Sequence, residues 1–248
     1  MKKILLTTAV LVTLASGSLA LDLAELTQDE RAAFRDEVRA YLLENPEILV
    51  EALDILKERD AEAATLQDVQ LVQDNASGLF ESPTDWAGGN LAGDITIVEF
   101  MDYQCSYCRK AHAEVSELIT TDGNIRFVIK EYPILGEASD LAARFAIAVR
   151  QIGGDDAYKA AHDALMTLRA EISVAALNQI ATNLGLDPAT VNKQMASEDV
   201  TAVIAANRAL GEAMQINGTP TFIVDKTLLR GYVPLNGMQQ IVADERKS

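Results

Sequence analysis

The sequence predicts an α/β protein whose elements run β-α-β, then a helical block, then β-β-α, behind a helical extension at the N-terminus. Three observations carry that expectation. Two short apolar, β-branched runs, Ile95–Met101 and Ile125–Lys130, flank a stretch of helical character, and a strand-helix-strand unit implies parallel pairing. A long helical pattern from Glu137 to Ile216 then separates that unit from two further strands and a closing helix. Residues 21–80 show helical periodicity and no strand pattern.

The chain opens MKKILLTTAVLVTLASGSLA, with Lys2 and Lys3, an apolar run from Ile4 to Ala15, and a small-residue exit at Ser18-Leu19-Ala20. Residues 1–20 therefore read as a secretory signal peptide, because the run falls short of the roughly 20 residues that cross a bilayer. No cysteine follows the expected cut to carry a lipid, so the mature protein is expected in a bacterial periplasm without stable membrane insertion.

Residues 21–80 form the expected extension. Thr27-Gln28-Asp29-Glu30 is a capping box, and Phe34, Val38, Tyr41 and Leu42 follow at helical spacing. Asn45-Pro46 breaks that helix and starts another, which carries Ile48, Leu49, Ala52, Leu53, Ile55 and Leu56. Beyond Leu56 large apolar groups become sparse. Two short amphipathic helices must bury their stripes against either the following domain or another copy of the chain, and both partners stay open.

From Ser82 the turn-rich SPTDWAGGNLAGD leads into the second domain, residues 81–248. Strand Ile95–Met101 comes first. A helix follows the cysteines to about Thr120, and Gly123 ends it before strand Ile125–Lys130. Within the helical block, about 137–216, breaks are expected at Gly153-Gly154 and at residues 185–188. Strands Thr221–Asp225 and Leu228–Val233 bracket a turn at Asp225-Lys226, and a helix runs from Leu235 to about Glu245.

The net charge is −16, and losing Lys2 and Lys3 with the leader makes it −18. Such an acidic surface argues against nucleic acid or anionic lipid as partner. No GxxxxGK phosphate loop is present.

The chemistry concentrates in MDYQCSYCR, which holds Cys105 and Cys108, the only two cysteines of the chain. Two thiols at this spacing can supply half a metal site, form a staple or exchange disulfides. An oxidising compartment favours exchange. Cys105 falls at the strand-to-helix junction, where free backbone N–H groups and the helix dipole stabilise a thiolate. Cys108, one turn further in, is placed to resolve the mixed disulfide that Cys105 forms. Glu99 is an acid inside an apolar strand; buried, it would have a raised pKa and relay the proton of Cys108. Pro220 stands immediately before a strand, and a cis Thr219-Pro220 peptide would set the Thr219 backbone beside the dithiol to pair with an extended substrate.

Two other readings compete. Cys105, Cys108 and His112 make CxxC-x3-H, which Cu(I) or Zn2+ would accept, but the only other histidine is His162, so neither a dedicated metal site nor a cofactor is expected. A chaperone using only the groove near Pro220 would have no need of a reactive cysteine pair.

VEFMDYQCSYC together with GTPTFIV, across residues 81–248, resembles the DsbA family of periplasmic thiol-disulfide oxidoreductases. That resemblance implies a thioredoxin-like fold with an inserted helical domain. It also implies that Cys105 is the exposed nucleophile, Cys108 the buried partner, Glu99 the buried acid, and Thr219 the residue before a cis Pro220. Its partners would be exported proteins with cysteines and a membrane redox partner. The long extension is similar to that of the branch containing suppressor-of-copper-sensitivity protein C, whose members oligomerise through it and isomerise disulfides. One departure is the dipeptide Ser106-Tyr107, which tunes the dithiol: strongly oxidising members have a histidine before the second cysteine, so a milder oxidant is expected here.

Overall fold

The computed structural model describes residues 26–247, so the expected signal peptide lies outside the described residues. The chain divides into two compact units, residues 1–60 and 61–248. The first holds α1 (Gln28–Glu44) and the beginning of α2 (Glu47–Asp74). Thr27 caps α1: its hydroxyl accepts from the Glu30 N–H while Glu30 Oε2 accepts from the Thr27 N–H at 2.9 Å, so the capping box closes in both directions. α1 buries none of its residues.

The second unit contains the rest of α2, α3 (Ala76–Phe80), β1 (Trp86–Gly89), β2 (Ile95–Met101), α4 (Ser106–Asp122), β3 (Ile125–Glu131), α5 (Glu137–Thr167), α6 (Val174–Asn183), α7 (Pro188–Met195), α8 (Glu198–Ala213), β4 (Thr221–Val224), β5 (Thr227–Arg230) and α9 (Leu235–Glu245). The strands form one sheet in the order β1-β3-β2-β4-β5, with β2 and β3 parallel and every other pair antiparallel. This is a thioredoxin-like fold with helices α5 to α8 inserted between its halves.

Both faces of the sheet are covered, which is why β2 and β4 read as nearly unbroken apolar runs. Strand alternation sends Ile95, Ile97 and Met101 into the core shared with α4, α5 and α9, whereas Val98 and Phe100 enter a second core. Val72 of α2 and Leu79 of α3 close that second core. The second unit therefore starts at Ala61, upstream of the boundary at 81 that composition suggests, because those two side chains are sealed under the sheet.

Three local expectations need correction. Trp86–Gly89 is a strand rather than a turn-rich entry, pairing antiparallel with β3. Gly88 lets the Trp86 ring fold back along the strand, since a Cβ there would come within 2.1 Å of that ring. The block breaks where expected at Gly153-Gly154, with Gly154 leaving helical geometry at φ 82° within α5, and at 184–187, but it breaks also at residues 168–173 and 196–197. Finally, β5 ends at Arg230, and Gly231, at φ +100°, turns the chain away from the sheet.

Candidate active site

β2 delivers the chain to the site and α4 leaves it. Between them, the buried Asp102 carboxylate accepts from the Gln104 N–H at 2.8 Å and from the Ile134 and Leu135 N–H groups at 2.8 and 3.0 Å. This brace fixes the turn that presents Cys105. Arg109 adds a second tie, donating from Nε to the Tyr103 carbonyl at 2.8 Å and from Nη1 to the Leu168 carbonyl, so that α4 is joined to the end of α5.

Cys105 is the N-cap of α4, and its sulfur accepts from the Cys108 N–H at 3.4 Å. Its thiol donates to the Thr219 carbonyl at 3.1 Å, across a sequence separation of 114 residues. The Thr219–Pro220 peptide is cis. The Cys105 thiol is lowered to about 5: a hydrogen bond from the Cys108 thiol leads, the Thr219 side chain and the Cys108 and Tyr107 N–H groups add to it, and burial opposes. Cys108, fully buried, moves the opposite way, through that same hydrogen bond, then burial, then the charge of Glu99.

Glu99 has the same strand parity as Ile97 and Met101 and so lies on the α4 side of the sheet. Burial, and secondarily the Cys105 charge, raise its carboxyl to about 8. Its Oε1 has no protein partner, and the side chain borders a cavity of about 240 Å3 that His112, Lys159 and His162 also line. Ser106 is the exposed first residue of α4. Tyr107 is 58 % exposed and stacks on Tyr232 at 6.0 Å, with Lys110 Nζ 4.2 Å from the Tyr232 ring centre.

The structure thus brings together Cys105, Cys108, Glu99, Thr219 and Pro220. It leaves His112 out of the cysteine pair: His112 Nε2 lies 3.2 Å from Asp163 of α5, so a CxxC-x3-H cluster does not assemble among the described residues. Sequence reading missed Asp102 and a buried network behind the site. Glu131 Oε1 accepts from the Tyr103 and Tyr158 hydroxyls at 2.8 and 2.7 Å, yet burial still raises this carboxyl to about 8. Lys130, equally buried, pairs with Asp85. Charged residues ending an apolar strand, Lys130-Glu131, were the only signal for that network.

Comparison with known proteins is consistent with this architecture. The thioredoxin family profile matches residues 81–244, and that of the copper resistance protein ScsC N-terminal domain matches residues 30–63. A thioredoxin-like oxidoreductase of Silicibacter pomeroyi is 42 % identical, superposing at a TM-score of 0.65 over 69 % of this chain and 98 % of its own. The thiol-disulfide exchange protein alpha-DsbA2 of Wolbachia pipientis is 26 % identical, at a TM-score of 0.68 over 74 % of this chain and 98 % of its own. Among curated sequences, 57 % of the chain matches the Na(+)/H(+) antiporter NhaA 1 of Salinispora arenicola at 31 % identity, spanning only 22 % of that protein. Among the described residues no helix is long and apolar enough to cross a membrane.

Proposed function

The chain belongs to the thioredoxin family, in the DsbA-like branch that carries an ScsC-type N-terminal domain, and on that basis we propose that it is a periplasmic thiol-disulfide oxidoreductase acting on exported proteins. The asymmetry of the dithiol carries this reading: Cys105, lowered to about 5, is a thiolate at neutral pH while Cys108 is buried and protonated. The Cys105 thiolate attacks one sulfur of a substrate disulfide, forming a mixed disulfide and expelling the other sulfur as a thiolate. Cys108, giving up its proton, then displaces the first substrate sulfur and closes the Cys105–Cys108 disulfide, so that the substrate gains two electrons. Glu99, in its ionised form, is the base that takes the Cys108 proton. Thr219, beside Pro220, offers backbone to an extended substrate segment. Ser106 and Tyr107 tune the dithiol, Tyr107 through its N–H. A membrane redox partner resets the couple.

Within this activity we favour disulfide isomerisation. An isomerase escapes from the mixed disulfide by letting a second substrate thiol attack, and active sites gathered by self-association raise the effective concentration of that step. The exposed apolar side chains of the first unit, Phe34, Tyr41, Leu49, Leu53 and Leu56, supply a surface for such assembly. The stability of the Cys105 thiolate supports a second reading, a DsbA-like dithiol oxidase, because it makes the disulfide form a willing electron acceptor.

Reactivation of a scrambled-disulfide substrate separates the two, run with the mature chain beside residues 61–248. Reactivation by the longer chain alone is the isomerase result. Oxidation of a reduced peptide by both, with reactivation by neither, assigns the oxidase.

A further inference from the structure

We infer that His112, His162 and Asp163 form a binding site for a divalent metal ion of the Zn2+ class that clamps α4 to α5, apart from the dithiol. His112 lies on α4, and His162 and Asp163 on α5. One ligand atom from each lies within 4.8 Å of the other two. Two imidazole nitrogens and a carboxylate oxygen are the donor set of zinc sites that keep a fourth position open. Lacking a thiolate, the set suits Zn2+ better than Cu(I). The cavity of about 240 Å3 that His112 and His162 border has room for a water in that fourth position.

The hydrogen-bond network assigns His162 the tautomer that a metal needs. Tyr103 has one hydroxyl proton, and it goes to Glu131 Oε1 at 2.8 Å. His162 Nδ1, 3.1 Å from the same hydroxyl, must therefore be the donor, which leaves Nε2 with its lone pair. A buried carboxyl acting through a hydroxyl to orient an imidazole is the outer-shell support that metal-binding histidines show. This support also connects the site to the reaction centre, because Tyr103 lies two residues before Cys105.

One neighbour opposes the ion. Lys159 Nζ donates to both Asp163 oxygens at 2.7 and 2.6 Å, and His112 Nε2 is the second cation-capable group facing them, at 3.2 Å. The Lys159 side chain is 40 % exposed and can yield its place by moving into water. The inference therefore carries a signed consequence: removing the Lys159 charge strengthens metal binding, whereas removing His112 or Asp163 weakens it.

The test uses the mature protein carrying C105S and C108S, so that the dithiol cannot compete, with calorimetric titration of Zn2+ and visible absorption of Co2+. The expected result is one ion per chain with a tetrahedral Co2+ band, weakened at least about tenfold by H112Q and by D163N and strengthened by K159Q. His112 is partly exposed, so H112Q tests the site without opening the core. No Zn2+ binding, or binding that H112Q leaves unchanged, would overturn the inference and reduce the cluster to a surface ion pair. The outcome is independent of the redox function, since the protein tested has no dithiol.

Discussion

The apolar stripes of α1 and α5 arise from the same helical periodicity, yet they meet opposite ends. In α5, Phe145 and Leu165 are sealed at 1 % and 0 % exposure, whereas in α1, Phe34 and Tyr41 remain 46 % and 55 % exposed. A stripe that finds a sheet in its own unit becomes core, and one that does not is left over for some other surface. The proposed division, chemistry in the second unit and assembly in the first, rests on that difference.

The largest effects would break that division outright. Cys105→Ser should abolish disulfide exchange, followed with a fluorescent mixed-disulfide peptide, while removal of residues 26–60 should leave the reactivity of Cys105 unchanged. Every group that lowers its pKa lies in the second unit, so a shift in reactivity after the deletion would show the two units to be coupled.

The same substitution made in both regions sharpens the comparison. Leu165→Ala should cost about 2–5 kcal/mol in denaturant unfolding. Leu53→Ala, at a side chain 55 % exposed, should leave the unfolding of the single chain unchanged and weaken self-association in sedimentation experiments. Equal unfolding costs would mean that the first unit has a core of its own.

The largest pH effect belongs to the second unit. Glu99 titrates at about 8 in the folded protein against an ordinary 4.5, so between these values the native state holds a proton that the unfolded chain has released. Stability is therefore lost as pH rises through this window, and Glu99→Gln should recover on the order of a few kcal/mol above pH 8. Glu131, raised to about 8 by burial, leaves a residual slope of the same sign. Identical pH profiles for the variant and the parent would place Glu99 in water. The smallest effect belongs to the first unit, where Thr27→Ala should cost helix α1 about 1 kcal/mol, seen in its circular-dichroism melt.

Much of this was readable from the sequence because it rests on local pattern. ITIVEFM and IRFVIK became β2 and β3, the cysteine at the helix entry became the N-cap, and Glu99 was conspicuous as an acid in an apolar strand. GTPTFIV also announced its place next to the dithiol, although only the fold could bring Thr219 to within 3.1 Å of Cys105. What escaped depends on contacts through space. Trp86–Gly89 looks like a turn until β3 is alongside it, since Gly88 makes room for the Trp86 ring rather than for a bend. Tyr103 and Tyr158 meet at Glu131 from 28 and 27 residues away, a convergence that no spacing rule encodes. The packing of Val72 and Leu79 was hidden for the same reason, because they look like the tail of the extension until the second face of the sheet needs cover.

The most direct measurement of the central claim is the pH dependence of alkylation of the reduced protein by iodoacetamide, with the modified residue located by peptide mass. The account predicts modification of Cys105 alone, with a rate that reaches half its maximum at about pH 5, while Cys108 stays protected. Labelling of both thiols, or a midpoint near the ordinary thiol value of about 8.5, would contradict it.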